Sequence, residues 1–160
     1  MAPPYIAVVG ASVASEGQQR AAEEVGAGLA RAGAVVITGG GSGVMEAASR
    51  GAAEAGGVVV GMLPGSEREQ ANPWVGIALP TGLGELRNGL IVRAADAVVA
   101  IGGAYGTLSE IALALNAGRT VIGLQTWPIE GITTVASPQD AVVRAVEAAR
   151  RDPGSGVGRA

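Results

Sequence analysis

Residues Ala97–Glu110 read AVVAIGGAYGTLSE, and this stretch decides the fold. Five apolar residues, Ala97–Ile101, run without polar alternation, which fits a strand covered on both faces. Gly102 and Gly103 break that strand, and a helical pattern follows over Leu108–Ala117, stopping at Gly118. The same order occurs twice more. Ala34–Ile37 leads into Thr38-Gly39-Gly40-Gly41-Ser42-Gly43, and Tyr5–Val9 leads into Gly10-Ala11-Ser12. Strand, glycine turn and helix, repeated with short connections, make right-handed crossovers. They predict a single α/β domain, a Rossmann-like, doubly wound and mostly parallel sheet with helices on both faces.

Working outward, Val58–Met62 and Thr120–Leu124 read as further strands, and Val75–Leu79, bracketed by Pro73 and Pro80, as a weaker one. Ser15 and Gln18 form a capping-box pattern before a helix that Gly33 stops. Further helices are predicted over Val44–Ala55, over Leu83–Ala95, and from Pro138 to Arg151 behind Ser137 as N-cap. In the second of these, Leu83, Leu86, Leu90, Ile91 and Ala94 lie on one side. No domain boundary interrupts residues 1–151, whereas residues 152–160 are Gly-rich and polar and read as a flexible tail. The loop Pro64–Trp74 is the longest inside the fold and is placed to cover a site.

Composition narrows the chemistry. Of 160 residues, 48% are hydrophobic but only 2% aromatic, so the core must be Val, Ile, Leu and Ala. The chain has no Cys and no His, and all eleven basic residues are Arg. Thiol nucleophiles, imidazole bases and a Schiff-base or Walker-type lysine are thereby excluded, and neither a metal site nor a cofactor is expected. A net charge of −3 with dispersed arginines argues against nucleic acid as a partner. The first residues lack a basic, signal-like segment, and no apolar run reaches membrane-spanning length. The expectation is a cytoplasmic protein without a membrane partner.

At the carboxyl edge of a doubly wound sheet, the three glycine turns face the region where ligands bind. Glycine permits close backbone approach, and each following helix presents unpaired N–H groups that suit an anion. Gly10, Ser12, Gly39, Gly40, Gly41, Ser42 and Gly43 are therefore candidate phosphate-binding residues, as are Gly103, Ala104, Tyr105, Gly106 and Thr107. No acidic residue ends the second strand, so dinucleotide redox chemistry fits poorly. Thr107 and Glu110 can be read as a second capping box, with Thr107 as N-cap, or as site residues. Arg87 can be read as a solvated side chain or as a planar fork for phosphate. Asp96 is expected in a helix-end or loop role, and Glu46 facing either ligand or solvent, with solvent favoured.

Gly102-Gly103-Ala104-Tyr105-Gly106-Thr107-Leu108-Ser109-Glu110 resembles the P-G-G-x-G-T-x-x-E signature of the LOG family of cytokinin riboside 5′-monophosphate phosphoribohydrolases, proteins often mislabelled lysine decarboxylases. Gly39–Met45 resembles that family's earlier glycine-rich loop, which adds Met45 to the candidates, and Arg87-Asn88 stands where the family has an Arg-Lys pair. The wording is similar to that of a bacterial subgroup resembling the algal molybdenum-cofactor carrier protein. The resemblance implies Glu110 and Arg87 as catalytic residues and the glycine turns as a phosphate cradle. It also implies pairing into a homodimer or higher homo-oligomer. Gly102, Ala104 and Asn88 depart from the pattern, and Asn88 removes a positive charge. Two functions follow as expectations. One is binding of a phosphorylated nucleotide-like ligand with hydrolysis of its N-glycosidic bond. The other is non-catalytic carriage of molybdenum cofactor or another pterin or nucleotide phosphate.

Overall fold

A computed structural model describes residues 2–151; the predicted tail lies outside them. Seven strands alternate with five helices. They are β1 (Tyr5–Gly10), α1 (Glu16–Arg31), β2 (Val35–Thr38), α2 (Val44–Glu54), β3 (Val59–Leu63), β4 (Ile77–Pro80), α3 (Asn88–Ala94), β5 (Ala97–Ile101), α4 (Tyr105–Asn116), β6 (Thr120–Leu124), β7 (Ile132–Val135) and α5 (Pro138–Arg151). All neighbouring strands pair in parallel, in the order β4-β3-β2-β1-β5-β6-β7. The chain reverses direction across the sheet between β1 and β5, and this switch point opens a crevice at the carboxyl edge.

The unbroken apolar strands do face two cores. Ile6, Val8, Val36, Val99 and Ile101 pack with α1, α2 and α5. Their neighbours Ala7, Val9, Ile37, Val98 and Ala100 pack with Ile91, Val92, Ile111 and Ala114 of α3 and α4. Small residues bring α1 and α2 close, because a Cβ on Gly26 would stand 2.9 Å from the Ala48 carbonyl carbon. The capping box at α1 is formed: Ser15 Oγ accepts from the Gln18 N–H at 3.2 Å, and Gln18 Oε1 accepts from the Ser15 N–H at 3.1 Å. Asp96 Oδ2 accepts from the Tyr5 N–H at 2.8 Å, so it ties the loop before β5 to the start of β1 and caps no helix end.

Four sequence expectations need correction. The helix predicted over Leu83–Ala95 is a 3-10 turn at Gly84–Arg87 followed by a short α3. Its buried side is Asn88, Ile91 and Val92, while Leu83, Leu86 and Leu90 are exposed. Helix α4 starts at Tyr105, three residues before Leu108, so Thr107 lies inside it and is not its N-cap. The weak strand is displaced to β4, at the sheet edge, where Pro80 is tolerated because its missing N–H faces no partner strand. Strand β7 was not expected at all: Ile132–Val135 is short, and only Val135 is buried.

Candidate functional site

The first two glycine turns hold each other. Ala11 O accepts from the Val44 N–H at 3.1 Å, and the Ser42 hydroxyl donates to Ser12 O at 2.9 Å. A Cβ on Gly10 would stand 2.6 Å from Val44 Cβ, so this glycine serves packing between β1 and α2. Within the second turn, the buried Thr38 Oγ1 accepts from the Gly40 N–H at 3.1 Å. From outside, Asn72 closes the turn. Its backbone N–H donates to Gly40 O at 2.8 Å and its Nδ2 to Gly41 O at 2.9 Å. The Pro64–Trp74 loop thus leans on the glycine turn.

Arg87 is the charged group at this turn. Its Nε donates to Met62 O at 2.9 Å, and its Nη1 donates to Asn88 Oδ1. Its Nη2 lies over Gly39, 2.8 Å from where a Cβ would stand, beside Met45 Sδ at 2.7 Å from that same point. Any other residue at position 39 would push the guanidinium away. Half-buried Arg87 is therefore no snorkelling surface cation. It closes a cavity of about 560 Å³ together with Gly39, Gly40, Gly41, Leu63 and Gln70. Asn88, 5% exposed, holds the guanidinium fork instead of adding a charge beside it.

The third turn has a different character. Gly102 and Gly103 have φ of +55° and +138°, a region that only glycine enters freely. Gly103, Ala104, Tyr105 and Gly106 are all exposed at the start of α4, where first-turn N–H groups have no acceptor within the helix. The Tyr105 side chain is 88% exposed and contributes no wall to the site. Thr107 is buried, and its Oγ1 accepts from the Ala104 N–H at 3.4 Å, so its hydroxyl closes the first turn. One turn further, Glu110 is 7% exposed on the inner side of α4. Burial pushes its carboxyl up to about 7, and Arg87 opposes that rise. Burial in turn lowers the Arg87 pKa, with Glu110 opposing. The two groups sense one another, yet no ion pair within 4.0 Å joins them among the described residues.

Two further cavities open along this edge. One, about 420 Å³, is a solvent-open cleft beside Ser12, Gly43, Glu46 and Arg50, with Glu46 partly buried at its wall. The other, about 330 Å³, is bounded by Gln18, Gly102, Gly103, Gln125, Thr126 and Trp127. Sequence reasoning missed Gln125–Trp127, although the loop follows a recognised strand at the same carboxyl edge. A larger cavity, about 590 Å³, lies between α1, α2 and α5. It is remote from the glycine turns, and its walls are helix flanks, with the Arg50–Glu23 pair nearby accounting for Glu23. The glycine turns and Arg87 lie instead at the carboxyl edge. Among the described residues, no group of three or more His, Cys, Asp or Glu is placed to hold a metal ion, and no helix is long and apolar enough to cross a membrane.

The chain is similar in sequence to an uncharacterised protein of Archaeoglobus fulgidus, 42% identical over 138 residues, covering 86% of this chain and 91% of that protein. In structure it is similar to the molybdenum cofactor binding protein of the phototrophic bacterium Rippkaea orientalis, with a TM-score of 0.86 and 34% identity, covering 92% of this chain and 97% of that one. It is likewise similar to the Moco carrier protein of Chlamydomonas reinhardtii, with a TM-score of 0.86 and 32% identity over 94% and 99% of the two chains. The SLOG cluster4 family matches residues 3–151. The chain belongs to the SLOG cluster4 family.

Proposed function

We propose that this protein is a cytoplasmic binding or carrier protein for a phosphorylated pterin of the molybdenum-cofactor kind, held at the carboxyl edge of the sheet. The observation that carries this reading is Arg87, whose guanidinium is fixed by Met62 O and Asn88 Oδ1 and laid against Gly39 beside a cavity. A planar cation held in advance loses little freedom on meeting a phosphate. The N-terminus of α4 offers a second anion-stabilising element nearby. Likeness to two molybdenum-cofactor binding proteins over nearly the whole chain supports the pterin over other phosphates. Calorimetry with a pterin monophosphate tests the reading. Binding is expected, and Arg87→Ala should weaken it about tenfold or more, as loss of a charge-assisted hydrogen bond does. No heat of binding at millimolar ligand would overturn it.

Glu110 favours a second reading, a nucleoside 5′-monophosphate phosphoribohydrolase. A buried carboxyl near 7 can hold or release a proton at neutral pH, which suits it to orient water or to stabilise an oxocarbenium-like ribose. Water would add at the anomeric carbon while the base leaves with a proton. Incubation with a panel of nucleoside monophosphates tests this, with free base as readout. If the carboxylate is the working form, release should rise with pH through about 7 and vanish in Glu110→Gln. No release across the panel leaves carriage as the function.

The protein also pairs with itself in this reading. Leu83, Leu86 and Leu90 around α3 and Leu113 on the adjacent α4 are 42–77% exposed, an apolar surface that a second copy would cover. A light-scattering mass of twice the chain is expected, reverting to one chain in Leu86→Glu.

A further inference from the structure

Gln125 is the one residue other than glycine with positive φ, +54°, among the described residues. It heads the loop after β6, and its neighbour Thr126 has a buried Oγ1 without a hydrogen-bond partner. Non-glycine residues in the left-handed region gather at binding sites, and an unpaired buried hydroxyl is costly unless something meets it. Both residues border the 330 Å³ cavity beside Gly102 and Gly103, within the size range of small-molecule sites. Trp127 forms an apolar wall there, its Cζ3 standing 2.9 Å from where a Cβ on Gly103 would be. On the opposite side stands Gln18. Its Oε1 is occupied by the Ser15 N–H, which turns Nε2 towards Gly102. The α1 capping box therefore orients a donor at the cavity rim.

We propose that this cavity is the subsite for the planar heterocycle of the ligand, with Trp127 as its apolar wall and Gln18, Gln125 and Thr126 reading its hydrogen-bonding edge. Carboxamides carry a donor and an acceptor side by side, which matches the amide-like edge of a pterin or purine. The position suits a two-part ligand. The Gly39 turn and the Gln125 loop leave strands β2 and β6, separated by β1 and β5, so three strand spacings or about 14 Å divide them. The start of α4 lies between, and an extended heterocycle phosphate can reach from Arg87 to Trp127. This inference rests on the binding reading above and specifies where specificity arises.

The experiment compares a pterin monophosphate with inorganic phosphate, by calorimetry and by tryptophan fluorescence in a Trp74→Phe background. Pterin monophosphate is expected to change Trp127 emission, and inorganic phosphate to leave it unaltered. Thr126→Val keeps the side-chain shape, and Gln125→Gly keeps the backbone conformation. Each should weaken pterin monophosphate binding roughly fivefold to tenfold while leaving phosphate binding unchanged, whereas Arg87→Ala should weaken both. Wild-type pterin affinity in both loop variants, or an equal loss for both probes, would overturn the subsite and leave the binding reading standing. If neither probe binds the unsubstituted protein, both inferences fall.

Discussion

The glycine turn after β2 and the glycine turn after β5 look alike in sequence and behave oppositely in the fold. In the first, Gly39–Gly43, backbone and side-chain polar groups are engaged by Thr38, Asn72 and Ser12. In the second, Gly103–Gly106, the backbone is exposed and a Cβ on Gly106 would meet nothing within 4 Å. One turn is scaffold that braces an arginine; the other is packed at Gly102 and Gly103 against Gln18 and Trp127 but open from Ala104 to Gly106, at a helix N-terminus. Glycine content alone cannot distinguish these roles, because the difference lies in what the rest of the chain brings against each turn.

Four substitutions can break or sharpen the contrast. Gly43→Ala should do the most damage, since Gly43 has φ +67° and its added Cβ would stand 2.6 Å from the Ser12 carbonyl carbon. A loss of about 3 kcal/mol or more is expected in denaturant unfolding. Glu110→Gln should act almost as strongly in the other direction. The folded protein holds the Glu110 proton up to about 7, against an ordinary value of 4.5. The folded state thus binds more protons than the unfolded chain in this window, and stability falls as pH rises from 4.5 through 7. Removing the ionisable group should stabilise by about 3 kcal/mol above that window and by little below it. Thermal melts of both proteins at acidic and alkaline pH check the sign.

Asn88→Ala is expected to have a moderate effect. It leaves Arg87 Nη1 without its side-chain acceptor, and about 1 kcal/mol of stability should go with it. A parallel drop in pterin monophosphate affinity would identify Asn88 as the residue positioning Arg87. The smallest effect belongs to Gly106→Ala. It lies in the first turn of α4 with open space around it, so stability should rise by roughly 0.5 kcal/mol. If Gly106→Ala proved as damaging as Gly43→Ala, the open turn would be scaffold too.

The glycine turns are legible as turns because each sits between a strand end and a helix start, whereas Arg87 and Glu110 are singled out by the resemblance to the LOG family and not by spacing. Arg87 could not be separated from a surface arginine, since its partner Met62 O lies 25 residues away and is a backbone atom. Asn88 read as a lost charge, whereas the fold makes it the acceptor that steadies Arg87. The leucines at 83, 86 and 90 have helical spacing, yet the 3-10 turn before α3 rotates them outward. Gln125–Trp127 was passed over because nothing in a Gln-Thr-Trp run marks it as a wall until Gly103 and Gln18 stand opposite.

The amino-acid order by itself determined the parallel sheet, the two buried faces and the three glycine turns at its carboxyl edge. These follow from period, chain stiffness and glycine spacing, all of which are local. Tertiary structure alone decided which turn is braced and which is open, how Arg87 is aimed, and that Glu110 is buried enough to titrate near 7. Those properties depend on desolvation and on hydrogen bonds between segments far apart in the chain, and only their packing sets them.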